Sequence, residues 1–324
     1  MESSEFSDIM RTGEYMIRSS RSSITYLLTV LAMVVLIAVS VSGCIDQNNT
    51  GNGSEQQTDG SKVDLEALHE AAAALSTALD QAVRDLPEPE ITRKEVYRIK
   101  AGKRISRKTI KERGGADRYF QIYKIKKGDR IYKRINGKSY RKNPIISLAD
   151  LRYIRTLYYD FDGKIRSGEI IVNKSIARDT RAVFRELFDI RYQICKMRLV
   201  DEYFPGGSSG NSAGAGGSAA AVAADTASMN DDNTSGFNYR MVAGTSSLSV
   251  HGYGRAIDVN PFENPWCPGG KLYYNQKKSA AYANRTIRKD HMIYADSEIT
   301  KIFKKHGFRW LGETGTRDYQ HFEK

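Results

Sequence analysis

Cysteine is scarce in this chain: Cys44, Cys195 and Cys267 are three in 324 residues. That is too few for a disulfide scaffold. With Cys44 at the end of an apolar segment, Cys195 and Cys267 remain as a candidate pair in an oxidising compartment. Long apolar runs are equally rare, with one in the chain. No internal repeat is present, and no compact carboxylate cluster of the kind that holds two magnesium ions, which argues against a two-metal nuclease. Acidic residues are in deficit, 38 against 50 Lys and Arg, for a net charge of +12. That balance suits a partner rich in phosphate or carboxylate: nucleic acid, an anionic membrane or an anionic wall polymer.

The single long apolar run, Ile24–Gly43, holds no charged residue. A helix rising 1.5 Å per residue over that length spans roughly 30 Å, enough to cross a hydrocarbon core. Arg11, Arg18 and Arg21 precede the run and no basic residue follows closely. Residues 1–23 are therefore expected in the cytoplasm and the remainder outside it. The run closes on Val41-Ser42-Gly43-Cys44, which resembles a lipoprotein cleavage box. Segment 24–44 thus reads as a transmembrane anchor or as a lipoprotein signal with a lipidated Cys44. Either places the functional part outside the cytoplasm on a membrane tether.

Beyond it, residues 45–62 are polar and read as a flexible linker. Within 63–88, Leu65, Leu68, Ala72, Leu75, Leu79 and Val83 recur at three- and four-residue spacing before Pro87, which predicts a spacer helix. Residues 91–142 carry twenty Lys and Arg against Glu95, Glu112, Asp117 and Asp129, an excess of sixteen that exceeds the charge of the whole chain. Alternation at Tyr119, Gln121, Tyr123 and at Ile131, Lys133, Ile135, with a turn at Asn136-Gly137, predicts a basic β-meander over 89–145. In an exported protein that surface suits an anionic wall polymer or lipid headgroups better than nucleic acid, or it is a solvated face with no ligand.

A globular pattern comes next. Leu151–Phe161 and Lys164–Val172 read as two strands around an Asp162-Gly163 turn, and Ile176, Thr180, Val183, Phe184, Leu187 and Phe188 as one face of a helix. Residues 206–224, rich in Gly, Ser and Ala, are expected to be a mobile surface insertion. Ser297 and Gly307 bracket a last helix.

Two of the five histidines sit in unusual company: Ser249-Val250-His251-Gly252-Tyr253-Gly254-Arg255-Ala256-Ile257-Asp258, and Asp318-Tyr319-Gln320-His321 after Trp310. A catalytic zinc takes three protein ligands from His, Asp or Glu at about 2.0–2.2 Å and keeps a fourth position open. His251, Asp258 and His321 supply such a set, and the glycines between the first two let the backbone turn toward one ion.

The string S-x-H-x-x-G-x-A-x-D followed by D-x-x-H resembles the two zinc-binding motifs of the D-alanyl-D-alanine carboxypeptidase and L-alanyl-D-glutamate endopeptidase family. Lys196–Tyr203 and Asp232–Arg240 are similar to segments of its phage-endolysin subgroup, so the resemblance extends over residues 146–324. It implies an α+β fold with a small central antiparallel sheet, flanking helices and one zinc ion. It also implies hydrolysis of a peptide bond in cell-wall stem peptides, either the terminal D-Ala-D-Ala bond or the internal L-Ala-D-Glu bond. Carried over residue by residue, His251, Asp258 and His321 are the zinc ligands and Asp318 is the general base. Arg240 holds substrate or the transition state, and Ser249 and Tyr253 line the cleft. The rival reading is a non-catalytic wall- or polymer-binding protein with a structural zinc site.

Overall fold

A computed structural model describes residues 90–205, 218–242 and 245–324, together with Glu70, Ala73, Ala74, Thr77 and Gln81. The expected cytoplasmic segment, the 24–44 anchor and the linker lie outside the described residues. So do residues 206–217 of the expected insertion and most of the spacer helix. The five described spacer residues are helical and exposed, and none belongs to the predicted apolar stripe. Among the described residues, no helix is long and apolar enough to cross a membrane. The chain divides into two units, 1–90 and 91–324, and every strand among the described residues lies in the second.

The 89–145 region is not a β-meander. It forms three short helices, α1 (Arg93–Arg98), α2 (Arg107–Glu112) and α3 (Arg130–Ile135), and one strand, β1 (Gln121–Lys124). The reason is capping. Thr92 and Glu95 make a reciprocal capping box on α1, while the Ser106 and Asp129 side chains accept the first-turn amides of Thr109 in α2 and Tyr132 in α3. Ile131 and Ile135, which suggested alternation, are four apart on one helix face and fully buried. Asn136-Gly137 ends α3 instead of joining two strands.

These elements belong to the same unit as the rest, so the boundary expected at 145 falls inside one folded body. β1 pairs antiparallel with β2 (Leu151–Tyr159), and β2 with β3 (Ile165–Asn173), giving a three-stranded antiparallel sheet that does not itself carry the expected zinc residues. Successive side chains leave opposite faces of a strand. Ile154, Ile170 and Val172 thus pack under α4 (Ala177–Asp189) with Val183, Phe184 and Leu187, while Tyr153 and Ile171 pack on the other face with Ile131 and Ile135. Arg134 of α3 crosses to the sheet and bonds Glu169 through both terminal nitrogens, at 2.9 and 2.7 Å. Burial alone would raise the Glu169 carboxyl, but Arg134 and Arg155 together hold it below its usual range.

Past β4 (Lys196–Met197) the chain reaches α5 (Ser218–Asn230), the first part of which, to residue 224, the sequence assigned to loose surface. Its small residues are what allow it to dock: Ala221 and Ala224 are fully buried against Val200 and Phe204. β5 (Asn233–Thr234) pairs with β4, and the chain continues into a second antiparallel sheet of β6 (Ala256–Asp258), β7 (Arg309–Trp310) and β8 (His321–Glu323), with β8 in the middle. Between them lie the one-turn α6 (Ala280–Ala283) and α7 (Glu298–Lys305). Ser297 occupies the cap position of α7, yet its hydroxyl takes the Tyr294 amide at 2.9 Å instead of a helix amide. Cys195 and Cys267 are free thiols.

If 91–145 is integral to this body, Ile131→Ala lowers the stability of the whole of it by about 2–5 kcal/mol, the cost of a large-to-alanine change in a full core. Denaturant unfolding followed by tyrosine fluorescence and by far-UV circular dichroism should shift as one transition. A shift confined to one probe would show that the basic region folds apart.

Candidate metal centre and active-site cleft

His251 sits in a one-turn 3-10 helix, Val250–Tyr253, whose start is shaped by Ser249: the serine hydroxyl accepts the His251 amide at 3.3 Å. The turn closes on Gly254 at φ 67°, where an added Cβ would stand 2.8 Å from the Asn173 nitrogen. A left-handed residue pressed against a neighbouring strand has to be glycine. Gly252 is constrained by contact, since a Cβ there would meet Leu248 at 2.7 Å. The chain then enters β6, and the antiparallel register sets Asp258 directly opposite His321 on β8.

The three side chains converge. His251 Nε2 lies 3.2 Å from Asp258 Oδ2 and 3.3 Å from His321 Nδ1, and His321 Nδ1 lies 3.1 Å from Asp258 Oδ1. A tetrahedral ion with ligands at about 2.0–2.1 Å holds its donor atoms roughly 3.3 Å apart, so the residues present fit such an ion. Among the described residues this is the one group of three or more His, Cys, Asp or Glu that could hold a metal.

The far side of each imidazole is also spoken for. His251 Nδ1 bonds the Gly236 carbonyl at 2.7 Å, so that nitrogen carries the proton and Nε2 presents a lone pair to the centre. His321 Nε2 lies 3.2 Å from Glu323 Oε2, which does the same for its Nδ1. Glu323 was not anticipated. Its signal was present, since residues two apart on a strand share a face.

Burial would raise the Asp258 carboxyl, but His251 and His321 outweigh it and hold it far below its usual range. Burial likewise opposes charge on His321, yet Asp258 and Glu323 prevail and carry it up to about 10. Without an ion, a proton stays where a cation would sit.

Asp318 lies beside this centre, partly exposed, its Oδ1 buried with no hydrogen-bond partner. Burial pushes its carboxyl up to about 7, with Asp258 adding to the rise and His321 opposing it. Arg309, a conceivable surface partner for it, pairs with Glu323 instead. Arg240 reaches the same cleft and forms a 2.7 Å ion pair with Asp225 of α5, a residue that no sequence signal singled out. Burial disfavours charge on Arg240, but Asp225 more than compensates and raises it.

His251, Asp258, His321, Asp318 and Arg240 line one cleft of about 310 Å³, walled by Val222, Met229, Trp266 and Leu311. Ser249 lines it too, although its hydroxyl is engaged in the turn. Tyr253 is set outside it: 39% exposed, it faces an adjoining surface groove with Arg255, Arg309 and Lys324. Gln320 turns inward, to Gln276 at 3.1 Å and toward Asp258 at 3.5 Å, while Tyr319 turns away beneath Arg285.

Two consequences are measurable by titrating zinc into the metal-free protein. Because binding must displace the His321 proton, about one proton should be released per ion at neutral pH, and affinity should fall as pH falls. Calorimetry in buffers of different ionisation enthalpy reads the proton directly. Glu323→Gln should weaken zinc binding about 10–100-fold, the usual effect of removing a ligand's outer partner. Unchanged affinity would mean that Glu323 does not orient His321.

No curated protein and no solved structure matches this chain. Residues 243–324 match the family described as D-alanyl-D-alanine carboxypeptidase. The matched range is narrower than the 146–324 over which the resemblance was drawn, and it holds His251, Asp258, Asp318 and His321 but neither Arg240 nor Asp225. Residues 243–324, which carry both histidine motifs in order, are thus similar to the D-alanyl-D-alanine carboxypeptidase family of peptidases.

Proposed function

We propose that this chain is a zinc-dependent peptidase that hydrolyses peptide bonds of cell-wall stem peptides from a membrane-tethered position outside the cytoplasm. The observation that carries the reading is a His251–Asp258–His321 group at tetrahedral spacing, opening into a cleft that also holds a carboxylate oxygen without a protein partner. Zinc held there supplies two things, a pKa for bound water lowered from 15.7 to about 7 and polarisation of a carbonyl.

The chain's own residues do the rest. Asp318 takes the proton of the attacking water and returns it to the leaving amine, the role open to a carboxylate placed beside both. Arg240 offers the N–H groups that Asp225 does not engage to a carbonyl oxygen as it gains charge. Trp266, Leu311, Val222 and Met229 seat the substrate backbone against apolar walls. Gly236 and Glu323 keep both imidazoles in the tautomer that faces the centre.

The exposed cations of residues 91–142 suit an anionic wall polymer or lipid headgroups near that substrate. The four acids of the segment offset few of its twenty cations: Glu95 holds Arg113 and Glu112 pairs with Lys108, while Asp129 caps α3 and Asp117 pairs with Arg185 beyond the segment.

Asp318→Asn should lower hydrolysis of stem peptides by roughly 10²–10⁴-fold, the usual contribution of a general base, and leave zinc binding in place. Mass spectrometry of peptide products beside a zinc titration tests both. A variant that binds zinc and still turns over at the wild-type rate would remove Asp318 from the reaction. Absence of any zinc-dependent product from the wild-type chain would favour a binding protein.

A further inference from the structure

Arg240 is the one Lys or Arg among the described residues that line the cleft. An enzyme that removes a C-terminal residue has to accommodate the substrate's terminal carboxylate beside the reacting bond, and a free guanidinium is the natural partner for it.

Here one end of the guanidinium, Nη2, is already taken by a carboxylate. Asp225 Oδ2 sits 2.7 Å from Arg240 Nη2, and the two side chains are only 8% and 14% exposed. The pair is built in, not incidental. Asn238 Nδ2 donates to the Ala221 carbonyl at 3.0 Å and to Asp225 Oδ1 at 3.4 Å, fixing the turn of α5 that carries the carboxylate. Ala221 and Ala224 anchor that turn against Val200 and Phe204.

Asp225, Asp258, Asp318 and Glu323 together set four carboxylates against one guanidinium in the cleft. A divalent ion bound there would leave no positive excess, so a further carboxylate would meet repulsion at short range. Two arginines beyond the cleft offer no replacement: Arg309 pairs with Glu323, and Arg317 lies against Gly270.

We infer that Asp225 is a specificity-determining residue: by occupying Arg240 it denies the cleft a partner for a terminal carboxylate and directs cleavage to an internal bond of the peptide. The inference rests on the peptidase reading and assigns its bond class. It also locates the determinant outside residues 243–324, on the helix that grows from the Gly/Ser/Ala-rich stretch.

The test uses the full chain with zinc and one stem pentapeptide ending in D-Ala-D-Ala, prepared as the free acid and as the C-terminal amide. Products are identified by mass spectrometry, and kcat/KM and equilibrium binding are measured for both forms. The wild-type chain should cut an internal bond and show no preference for the acid. Asp225→Asn, which keeps the shape and removes the charge, should shift the acid-to-amide ratio toward the acid by about tenfold, the size of one charge-assisted bond. A merely structural role for Asp225 would lower both rates and leave the ratio unmoved.

Release of a single terminal alanine by the wild-type chain, or a tenfold wild-type preference for the acid, would overturn the inference. Should the variant fail to fold, the wild-type ratio alone decides. Hydrolysis of neither peptide would count against the peptidase reading, and the binding ratio of acid to amide would still judge Asp225.

Discussion

The antiparallel register between β6 and β8 is the constraint on which the rest of the site depends. It sets Asp258 opposite His321, and a slip of one residue would send both side chains to the other face of the sheet. Phe322 prevents the slip. It is fully buried, stacked on Phe303 with ring centroids 3.9 Å apart, and it pairs in register with Trp310 of β7. The tight turn at Gly252 and Gly254 then brings His251 to the pair. Ser235 completes the hold by exchanging backbone hydrogen bonds with Asp258 at 3.0 and 2.9 Å. The centre is thus assembled by backbone geometry, and the carboxylate–histidine contacts tune what the backbone has already placed.

Charge is divided across the molecule in a way that composition conceals. The excess of sixteen positive charges in residues 91–142 outweighs the net charge of the chain, so the remainder is slightly acidic, and within that remainder the cleft gathers four carboxylates. The two parts are physically continuous. Tyr239 donates its amide to the Ser139 carbonyl at 2.9 Å, and Arg141 lies over the Tyr239 ring, one residue before Arg240. A basic surface and an acidic, metal-competent cleft therefore share one folded body, held together by Ile131, Ile135 and the pair of half-buried Arg134 with buried Glu169.

Much of the architecture was legible because its signals are local. The β2–β3 hairpin, α4 and the extent of α7 follow from alternation, three-to-four spacing and a closing glycine, all decided within a few residues. The basic region was misread for a reason that is also local. Its Thr92-x-x-Glu95 capping box and the Ser106 and Asp129 caps are stronger instructions than a short apolar alternation, because each cap satisfies an amide that would otherwise lack a partner. The Ala-rich stretch was misread because small side chains look unable to form a core. Ala221 and Ala224 do not build one; they let a helix backbone approach Val200 and Phe204 closely.

Sequence alone determined which residues could form the centre, since the chemistry of metal ligation restricts the donor types and the two histidine motifs carry them in order. It also determined the turn that bends His251 toward Asp258, because glycine is the residue that tolerates that backbone. Only the tertiary structure decided the partners that orient and neutralise those groups. Glu323 behind His321, the Gly236 carbonyl behind His251 and Asp225 against Arg240 are contacts at separations of 2, 15 and 15 residues. Short range in the chain did not make them readable. Whether an imidazole or a guanidinium meets a given partner depends on how strands and helices pack, and that is settled by burial across the whole body.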